Sequence, residues 1–446
     1  MSKLPAWWAA CSLADIGHIV TGKTPSTKEA SFYGGSIPFI KPGDLNHSGP
    51  IVTTETFLTN AGAAEIPNLP PQSIVVTCIG NLGKVGLTTT TSATNQQINA
   101  LIPDTGIDPS FVFHYCKTLR PWLEAQSSAT TISIVNKSIF SKAPIPLPPA
   151  AEQTRIAAKL DELLAQVDIL KARIDGIPAL LKRFRQSVLA AAVSGRLTKE
   201  WRVAVHETSQ DQGFLYPVRR LGVIARFIDY RGKTPEKVDS GVPLITAKNI
   251  KSGYISRVPR EFIRPEAYES WMTRGIPKVG DVLITTEAPL GNVAVIDITE
   301  KFALAQRAIC LQFHEGYSSS FAAIALQSSL LQEELARRST GTTVKGIKAS
   351  VLKEIGLPAP SIDEQNEIVH RVEQLFAYAE QLETKVSEAK KRIDHLAQSI
   401  LAKAFKGDLV PQDPNDEPAD VLLERIKAQR TAAPKAKRSR RSATAD

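Results

Sequence analysis

The residues most suggestive of chemistry lie near the N-terminus, where Gly17-His-Ile-Val-Thr-Gly22-Lys23-Thr24 fits the phosphate-binding pattern G-x-x-x-x-G-K-T. In a nucleotide-binding loop of this kind, backbone amides at the start of a helix hold the phosphates and the lysine reaches the terminal ones. Pro25 stands where that helix would have to form. In addition, no apolar strand ending in aspartate offers a magnesium ligand. We therefore expect no ATP at this position.

No other catalytic pattern stands out. The glycines of residues 78–86 (CIGNLGKVG) follow a strand-like run but lack G-x-G, so we expect a turn between strands. The sequence contains no N-P-P-[FY], D-P-P-[FY], H-E-x-x-H or G-x-S-x-G motif. A hydrolase site formed by scattered carboxylates stays open, but no residue marks one. We expect a non-catalytic chain without a cofactor or metal.

Composition and cysteine usage narrow the class of protein. The 446 residues are 43% hydrophobic and 22% charged, which is typical of a globular protein with two to four domains. No apolar run approaches the roughly 18 residues of a membrane span, and the N-terminus lacks a signal-peptide pattern. The four cysteines include no C-x-x-C pair, so we expect neither disulfides nor a zinc site, and a cytoplasmic location.

The chain contains an internal repeat, because its second half matches the first when the sequence is shifted by 212 residues. Glu152-Gln153, for example, falls on Glu364-Gln365, and no gap is needed from Thr130 to Leu197. In each copy, roughly 150 residues of short segments with strand-like runs, such as SIVVTCIG and DVLITTEA, precede one long helical stretch. The repeat predicts two similar mixed α/β domains, each followed by a long helix.

Each helical stretch carries a heptad seam, in which apolar residues or alanine alternate four and three positions apart. Each seam spans 32 residues, or about 48 Å of helix. A helix packed only on its own domain is the alternative, but the seam is too narrow and too long for it. The equal lengths favour pairing of the two helices, either parallel or antiparallel. The seam positions are Ile156, Leu160, Leu163, Val167, Leu170, Ile174, Ile177, Leu181, Phe184 and Val188, and Ile368, Val372, Leu375, Ala379, Leu382, Val386, Ala389, Ile393, Leu396 and Ile400.

Local signals mark the ends of these helices. Ser361 and Glu364 form a capping-box pattern at the start of the second helix. Gly195 and Gly407 suit the position just after a helix end. Pro178 interrupts the first helix alone, where we predict a kink, with a break into two helices as the alternative.

The remaining segments are predicted linkers and a tail. Residues 198–211 and 411–417 are expected to be linkers, and a short helix is expected from Ala419 to Arg430. The net charge of +9 suits a polyanionic partner. Part of it comes from a C-terminal tail that we expect to be disordered, for which a solvated basic segment is the simpler explanation.

Each copy also carries polar segments that suit DNA. Lysine and threonine bond phosphates, whereas asparagine, glutamine and arginine can pair with base edges. Turns and helix caps are the simpler explanation for any single one of these residues. The candidate DNA-binding residues are Lys23, Thr24, Gln96, Gln97, Thr130, Thr131, Asn136 and Lys137 in the first copy, and Lys233, Thr234, Gln306, Arg307, Thr342, Thr343, Lys345 and Lys348 in the second.

The chain resembles the specificity subunits of type I restriction-modification enzymes. The resemblance is carried by the helix starts, 145–163 (IPLPPAAEQTRIAAKLDEL) and 357–375 (LPAPSIDEQNEIVHRVEQL), by the helix ends, 186–198 (QSVLAAAVSGRLT) and 398–410 (QSILAKAFKGDLV), and by 411–426 (PQDPNDEPADVLLERI). The globular parts match the family only in layout and in their openings with GKTP.

The resemblance implies an α+β fold with two target recognition domains, each reading one half of a split double-stranded DNA site. The two long helices would pair as an antiparallel coiled coil. Two modification subunits would dock on them, supply S-adenosylmethionine and methylate adenine, and separate motor-nuclease subunits would supply ATP hydrolysis and cleavage. The expected segments are recognition domains at 1–149 and 212–361, helical spacers at 150–195 and 362–407, a linker at 196–211 and a C-terminal segment at 408–446.

Two other functions remain as alternatives. A coiled-coil scaffold whose globular ends bind protein would show the same repeat, and an NTPase would use Gly17–Thr24. The candidate residues differ between the copies, with Asn95-Gln96-Gln97 in one and Ala305-Gln306-Arg307 in the other. If both copies read DNA, the site is therefore expected to be asymmetric.

Helix length is expected to set the unread gap between the two half-sites, because about 48 Å exceeds one DNA turn of about 34 Å. Inserting four residues in the 368–400 seam should change that gap in the methylated sequence, as mapped by methylome sequencing in a methylation-free host that also expresses the modification subunit. An unchanged gap would refute this role of the helices.

Overall fold

The chain forms two structural units, and both long helices are divided between them. The computed structural model describes residues 4–46, 49–127, 132–206, 216–230, 235–341 and 344–432. Unit 1 comprises Met1–Arg173 and Lys390–Asp446, and unit 2 comprises Ile174–Ala389. Each unit therefore contains one globular part and one segment of each long helix.

Short strands and helices alternate along both globular parts. From the N-terminus to the end of the first long helix they are β1 (Ala9–Ser12), α1 (Leu13–Ile16), β2 (Gly17–Thr21), β3 (Tyr33–Ile40), β4 (Pro50–Ile51), β5 (Phe57–Leu58), α2 (Asn60–Ala64), β6 (Asn68–Leu69), β7 (Ile74–Thr77), β8 (Val85–Thr88), β9 (Ser92–Thr94), β10 (Ile98–Pro103), α3 (Pro109–Cys116), α4 (Arg120–Gln126), α5 (Lys137–Ser141), β11 (Pro144–Leu147) and α6 (Ala150–Val193). The remaining elements are α7 (Lys199–His206), β12 (Val218–Arg220), α8 (Leu221–Ile224), β13 (Ala225–Asp229), β14 (Val242–Ile245), β15 (Phe262–Ile263), α9 (Ala267–Trp271), β16 (Val282–Thr286), β17 (Leu290–Val295), β18 (Ala303–Leu304), β19 (Ala308–Phe313), α10 (Ser319–Gln327), α11 (Ser329–Arg338), α12 (Ala349–Lys353), β20 (Gly356–Pro358), α13 (Ile362–Ala404) and α14 (Ala419–Ala432).

The two globular parts share a common core of sheet topology, to which unit 1 adds the edge strands β4 and β6. Unit 1 has sheets of order β2-β10-β7-β8-β4 and β5-β3-β9-β6, and unit 2 has sheets of order β13-β19-β16-β17 and β15-β14-β18. In both units the second sheet contains a parallel pair, β3 with β9 and β14 with β18. A separate antiparallel pair, β1 with β11 or β12 with β20, lies just before each long helix. The predicted pair of similar mixed domains is confirmed.

Buried central strands organise each first sheet. Every residue of β7 and β16 is buried, as expected for strands rich in valine and isoleucine that are covered on both faces. These strands are the predicted runs SIVVTCIG and DVLITTEA. Residues 78–84 form the predicted turn between β7 and β8, where Gly80 and Gly83 adopt φ angles of +78° and +77° that favour glycine.

The segments of α6 and α13 run antiparallel within each unit. In unit 1, Arg155 pairs with Asp416 just beyond α13, and Lys171 pairs with Asp394 (Nζ to Oδ1, 3.1 Å). In unit 2, Arg185 pairs with Glu383 (3.0 Å), and Arg371 donates to the carbonyl oxygen of Leu197 (2.9 Å). In both units, higher numbers in α6 oppose lower numbers in and after α13. The predicted α+β class and antiparallel pairing are confirmed.

The heptad seam is buried unevenly. Ile156, Leu160, Ile368 and Val372 are at most 2% exposed, because they also pack against the globular parts. By contrast, Leu170 and Leu396 are 44% and 46% exposed. Two paired helices cover only one side of each seam residue. Where no globular part packs on the other side, the residue stays partly accessible.

The helix ends follow their predicted signals in part. Gly195 and Gly407 adopt left-handed φ angles of +78° and +83°, as predicted for residues after a helix end. The Ser361 hydroxyl accepts from the Glu364 amide (3.3 Å), but the Glu364 carboxylate bonds elsewhere, so the capping box is incomplete. The 44-residue α6 is continuous through Pro178 and is not broken into two helices. The kink at Pro178 stays a prediction.

The segment predicted to be the first linker, residues 198–211, contains α7. Arg202 of α7 is 8% exposed, and its guanidinium donates to the Glu364 carboxylate (2.5 Å), which also accepts from Thr198 and Tyr216. A buried cation paired with a hydrogen-bonded carboxylate fixes the segment after α6 to the start of α13.

The C-terminal helix α14 confirms the predicted helix from Ala419 to Arg430 and belongs to the unit 1 core. Leu422, Leu423 and Ile426 are buried there. Arg430 bonds the Asp104 carboxylate and donates to the Ala14 carbonyl oxygen (2.7 Å). The predicted disordered tail lies outside the described residues from 433 onward. No helix in the described ranges is long and apolar enough to cross a membrane.

A buried glutamine joins each globular part to its long helix. In unit 1, Gln153 accepts from the amide of Asp108 (2.9 Å) and donates to the carbonyl oxygen of Pro148 (3.0 Å). In unit 2, Gln365 makes the equivalent bonds with Ser318 (2.7 Å) and Pro360 (2.9 Å). Both glutamines are at most 1% exposed. The repeated Glu-Gln pairs therefore fasten domain to helix.

Replacing Gln153 with alanine should lower the free energy of unfolding by about 2 kcal/mol, because a partly buried amide and a buried carbonyl each lose a partner. Urea unfolding followed by circular dichroism measures this change. Gln166→Ala, at an exposed position of the same helix, is the matched control and should change stability by less than about 0.5 kcal/mol. Equal effects of the two substitutions would contradict this role of Gln153.

Candidate functional site

The segment that matches a phosphate-binding loop is a β-strand. Gly17–Thr21 forms β2, whose backbone pairs with β10. The following amide of Lys23 donates to the carbonyl oxygen of Thr94 (2.9 Å). Steric limits explain the second glycine, because a Cβ at Gly22 would lie 2.2 Å from the carbonyl oxygen of Asn95. These backbone amides form hydrogen bonds to neighbouring strands and segments, so they are not arranged to hold phosphates. Geometry as well as sequence therefore argues against an ATP site here.

In unit 1, main-chain hydrogen bonds at Cys78 hold two candidate loops side by side. The Cys78 amide donates to the carbonyl oxygen of Gln97 (2.8 Å), and its carbonyl accepts from the amide of Val135 (2.8 Å). The hydroxyl of Thr24 donates to the side-chain oxygen of Gln96 (2.6 Å), which adds a third loop. The structure therefore brings the loops carrying Thr24, Gln96 and Gln97 together, next to the segment that precedes Asn136.

The remaining described candidates of unit 1 flank these loops. Lys23 and Lys137 are exposed. Asn136 is also exposed, and its side chain caps α5 by accepting from the amide of Ile139 (2.9 Å). The simpler explanation for Asn136, a helix cap, is therefore correct, although its exposure still permits contact with a ligand.

Unit 2 repeats this frame with different side chains. The Thr286 amide donates to the carbonyl oxygen of Arg307 (2.9 Å), and its carbonyl accepts from the amide of Ile347 (2.9 Å). Arg307 thus occupies the place of Gln97. Lys348 precedes α12 as Asn136 precedes α5, but it makes no side-chain cap. The backbone frame is conserved within the chain while the exposed side chains change.

The surface around Arg307 is grooved, and its cationic side chains outnumber the two acidic ones, Glu261 and Glu287. One groove is lined by Gln306, Arg307, Thr340 and Lys348, among others. A second groove shares Gln306 and Arg307 and is lined by Lys237 and Lys248, which the sequence did not single out. Lys345 lines a third groove with Ala288, Pro289 and Leu290. Such a surface suits the phosphates of a nucleic acid.

Sequence reasoning also missed Lys41 in unit 1. Lys41 follows β3, and the carbonyl oxygen of the preceding Ile40 accepts from the amide of Asn95 (3.2 Å). The Lys41 ammonium donates to Thr56 (2.8 Å) and lies 5.6 Å from the centre of the Phe39 ring. Lone lysines such as Lys41, Lys237 and Lys248 carry no local signal, because only the folded chain brings them beside the candidate loops.

Six of the predicted residues cannot be placed. Their positions lie outside the described residues, so their role stays a prediction. These are Thr130, Thr131, Lys233, Thr234, Thr342 and Thr343.

The site offers no sign of nucleophilic or metal chemistry. Burial raises the pKa of the Cys78 thiol to about 11, so the thiol behind the unit 1 loops stays protonated near neutral pH. Among the described residues, no group of three or more His, Cys, Asp and Glu side chains is arranged to hold a metal ion. What the arrangement provides is an array of exposed hydrogen-bonding and cationic side chains on a rigid frame.

Comparison with known proteins identifies the class. A family model described as the type I restriction modification DNA specificity domain matches residues 5–179 and 220–390. The EcoBI specificity subunit of Escherichia coli is 31% identical over 97% of this chain and 94% of its own length. The EcoKI specificity subunit of E. coli strain K12 is 30% identical over 98% and 99%. The chain belongs to the type I restriction enzyme specificity subunits.

Solved structures agree on the fold. The HsdS subunit from Thermoanaerobacter tengcongensis matches with a TM-score of 0.60 and 21% identity, covering 91% of this chain and 98% of that chain. A chain from a study of complex assembly and conformational transition of the type I R-M system matches with a TM-score of 0.64 and 20% identity, covering 92% and 100%. Both likenesses extend over both units.

Membership in this family settles the general function. Specificity subunits are the non-catalytic component of type I restriction-modification systems; they bind DNA and assemble with the other subunits. The predicted function is confirmed at this level. The alternative of a protein-binding scaffold without DNA specificity is wrong for this specificity subunit.

The cap and the DNA contact at Asn136 can be separated by two substitutions. Asn136→Ala should cost about 1 kcal/mol of stability, because α5 loses its cap. Asn136→Asp keeps the cap but adds a negative charge, so stability should hold while affinity for DNA falls by roughly tenfold at low salt. Urea unfolding and fluorescence anisotropy with a DNA duplex measure the two effects.

Asn60→Asp, which adds the same charge at the start of α2, is the control. If Asn136→Asp and Asn60→Asp bind DNA equally well, Asn136 acts only as a cap.

Proposed function

We propose that this specificity subunit reads an asymmetric, bipartite double-stranded DNA site, with each unit reading one half. The observation that carries the proposal is the shared backbone frame at Cys78 and Thr286. Because the hydrogen-bonding pattern is the same, the two loops would be presented to DNA at equivalent places, although Arg307, unlike Gln97, has a left-handed backbone conformation. Because the side chains differ, with Gln97 in one unit and Arg307 in the other, the two half-sites would differ in sequence.

The described side chains divide into two kinds of DNA contact. Lys23, Lys137, Lys345 and Lys348 are exposed cations that suit phosphates. Glutamine and arginine side chains at positions 96, 97, 306 and 307 suit base edges, with glutamine favouring adenine and arginine favouring guanine. Thr24 would act mainly by orienting Gln96 through their hydrogen bond. The recognition domains would extend over residues 1–149 and 212–361.

The paired helices, 150–195 and 362–407, would provide the docking surface for two modification subunits. Exposed apolar side chains on them support this role, among them Ile169 (55% exposed), Leu180 (58%) and Tyr378 (58%). The modification subunits would bring S-adenosylmethionine and methylate adenine. Separate motor-nuclease subunits would hydrolyse ATP and cleave DNA. The complex would act on DNA in the cytoplasm.

Matched substitutions in the two units test the division of the site. Gln96→Ala should relax selectivity in one half-site only, and Gln306→Ala in the other only. The expected loss is roughly tenfold at the affected positions, since a good contact to a base pair discriminates by about 1–3 kcal/mol. Methylome sequencing in a methylation-free host that also expresses the modification subunit measures both.

The control is Lys278→Ala. Lys278 is exposed and precedes β16, whereas the candidate loops lie at the end of this strand, so the substitution should leave the methylated sequence unchanged. A palindromic methylated sequence, or relaxation of both halves by one substitution, would contradict the proposal.

A further inference from the structure

Glu287 lies against Arg307 at the centre of the basic surface of unit 2. Its Oε1 atom is 2.8 Å from Nε of Arg307, and the two side chains are 40% and 52% exposed. Glu287 also forms a backbone bridge with Gly346. A Cβ at Gly346 would lie 3.4 Å from Cβ and 3.5 Å from Oε2 of Glu287, which is ordinary van der Waals contact, so this position faces the Glu287 side chain.

The backbone of Arg307 is unusual. Its φ angle is +69°, in the left-handed region that residues other than glycine and asparagine rarely adopt. Such a conformation persists where the surroundings fix it, and it occurs often at functional sites. Here the bond from the Thr286 amide to the Arg307 carbonyl fixes it. The arginine side chain is thereby directed from a defined point of the frame.

The internal repeat shows that the acid and the arginine change together. In unit 1 the backbone bridge equivalent to that of Glu287 and Gly346 joins Ile79 to Ile134. The unit with glutamine on the frame thus has no acid beside it and no glycine opposite. The equivalent sets are Ile79, Gln97 and Ile134 in unit 1, and Glu287, Arg307 and Gly346 in unit 2.

We propose that Glu287 is a positioning residue that holds Arg307 for recognition of a guanine base. A carboxylate bonded at Nε restricts the guanidinium plane and leaves both Nη groups to donate to O6 and N7 of guanine. The carboxylate also repels phosphates, which makes this arginine a poor backbone contact and favours a base edge. Neighbouring Lys348 supplies positive charge for the backbone, and Lys237 and Lys248 together exceed the one negative charge of Glu261, with which both are paired.

This inference rests on the proposed function, since it assumes that unit 2 reads one half-site. It predicts a G·C pair at one position of that half-site. By the same frame, Gln97 would favour an A·T pair at the equivalent position of the other half-site.

The test measures selectivity position by position. The complete modification complex is bound to a labelled duplex that carries the target sequence found by methylome sequencing. Unlabelled duplexes with the same sequence, or with one base pair replaced, compete for binding. Arg307→Ala and Arg307→Gln should reduce the preference for G·C at one position by on the order of ten- to hundredfold. The isosteric Glu287→Gln should reduce the preference at that same position, with other positions and thermal stability unchanged.

Two controls keep the outcome unambiguous. Lys278→Ala removes one positive charge elsewhere on unit 2 and should leave the base-pair preference at every position of the site unchanged. Arg307→Gln keeps a long polar side chain at this position, so it guards against loss of folding in the alanine variant.

The inference is overturned if Glu287→Gln leaves selectivity as in the wild type, or if affinity falls equally at all positions, as a purely structural role would require. If the wild-type complex shows no bipartite specific site at all, the proposed function itself fails. A specific site without G·C dependence on Arg307 refutes only the inference.

Discussion

The main-chain hydrogen bonds of one residue at the end of a buried strand, Cys78 just after β7 and Thr286 as the last residue of β16, hold the candidate loops of each unit in place. Cys78 and Thr286 each bond one loop through the amide and a second segment through the carbonyl. The strands behind them are wholly buried, so these bonds form in surroundings where an unpaired polar group is costly. The loops are held by backbone atoms, which leaves their side chains available for contact with DNA.

A second constraint ties these frames to the helices. Gln153 and Gln365 bond the globular parts at the start of each long helix, and the neighbouring glutamates are buried as well. Glu152 accepts from Trp8, whereas Glu364 accepts from Arg202 and Tyr216. Glu152 is 1% exposed, and this burial raises the pKa of its carboxyl group. The globular part of each unit is therefore bonded directly to the start of a long helix.

Much of this architecture could be predicted from the sequence. The repeat at offset 212 predicted two similar domains, the heptad seam predicted paired helices, and Gly195 and Gly407 marked the helix ends. Periodicity and turn chemistry are local signals, so they survive in a single sequence. The burial of α7 could not be predicted, because Arg202 becomes a core residue only when Glu364 lies opposite. The partial exposure of Leu170 depends likewise on the absence of a third layer, which a seam pattern does not encode.

The candidate site was predictable in outline rather than in detail. Repetition drew attention to Gln97 and Arg307, and the frame places them at equivalent points. The internal repeat did not point to Glu287, Lys237 or Lys248, which lie on other strands and loops. Single acids and lysines are common in any sequence, and their significance comes from a partner that is distant along the chain.

The anchoring of the loops by backbone atoms has an evolutionary consequence. Arg307 is exposed and Gln97 is only partly covered, so a mutation at either position changes what the surface presents while the bonds that fold the loop stay intact. In the proposed function, specificity and foldability would therefore be encoded by different atoms of the same residues. Substitutions at these few positions would then change the target sequence at little cost to the scaffold, and Gln97 and Arg307 would be two alternatives on one hydrogen-bonding frame.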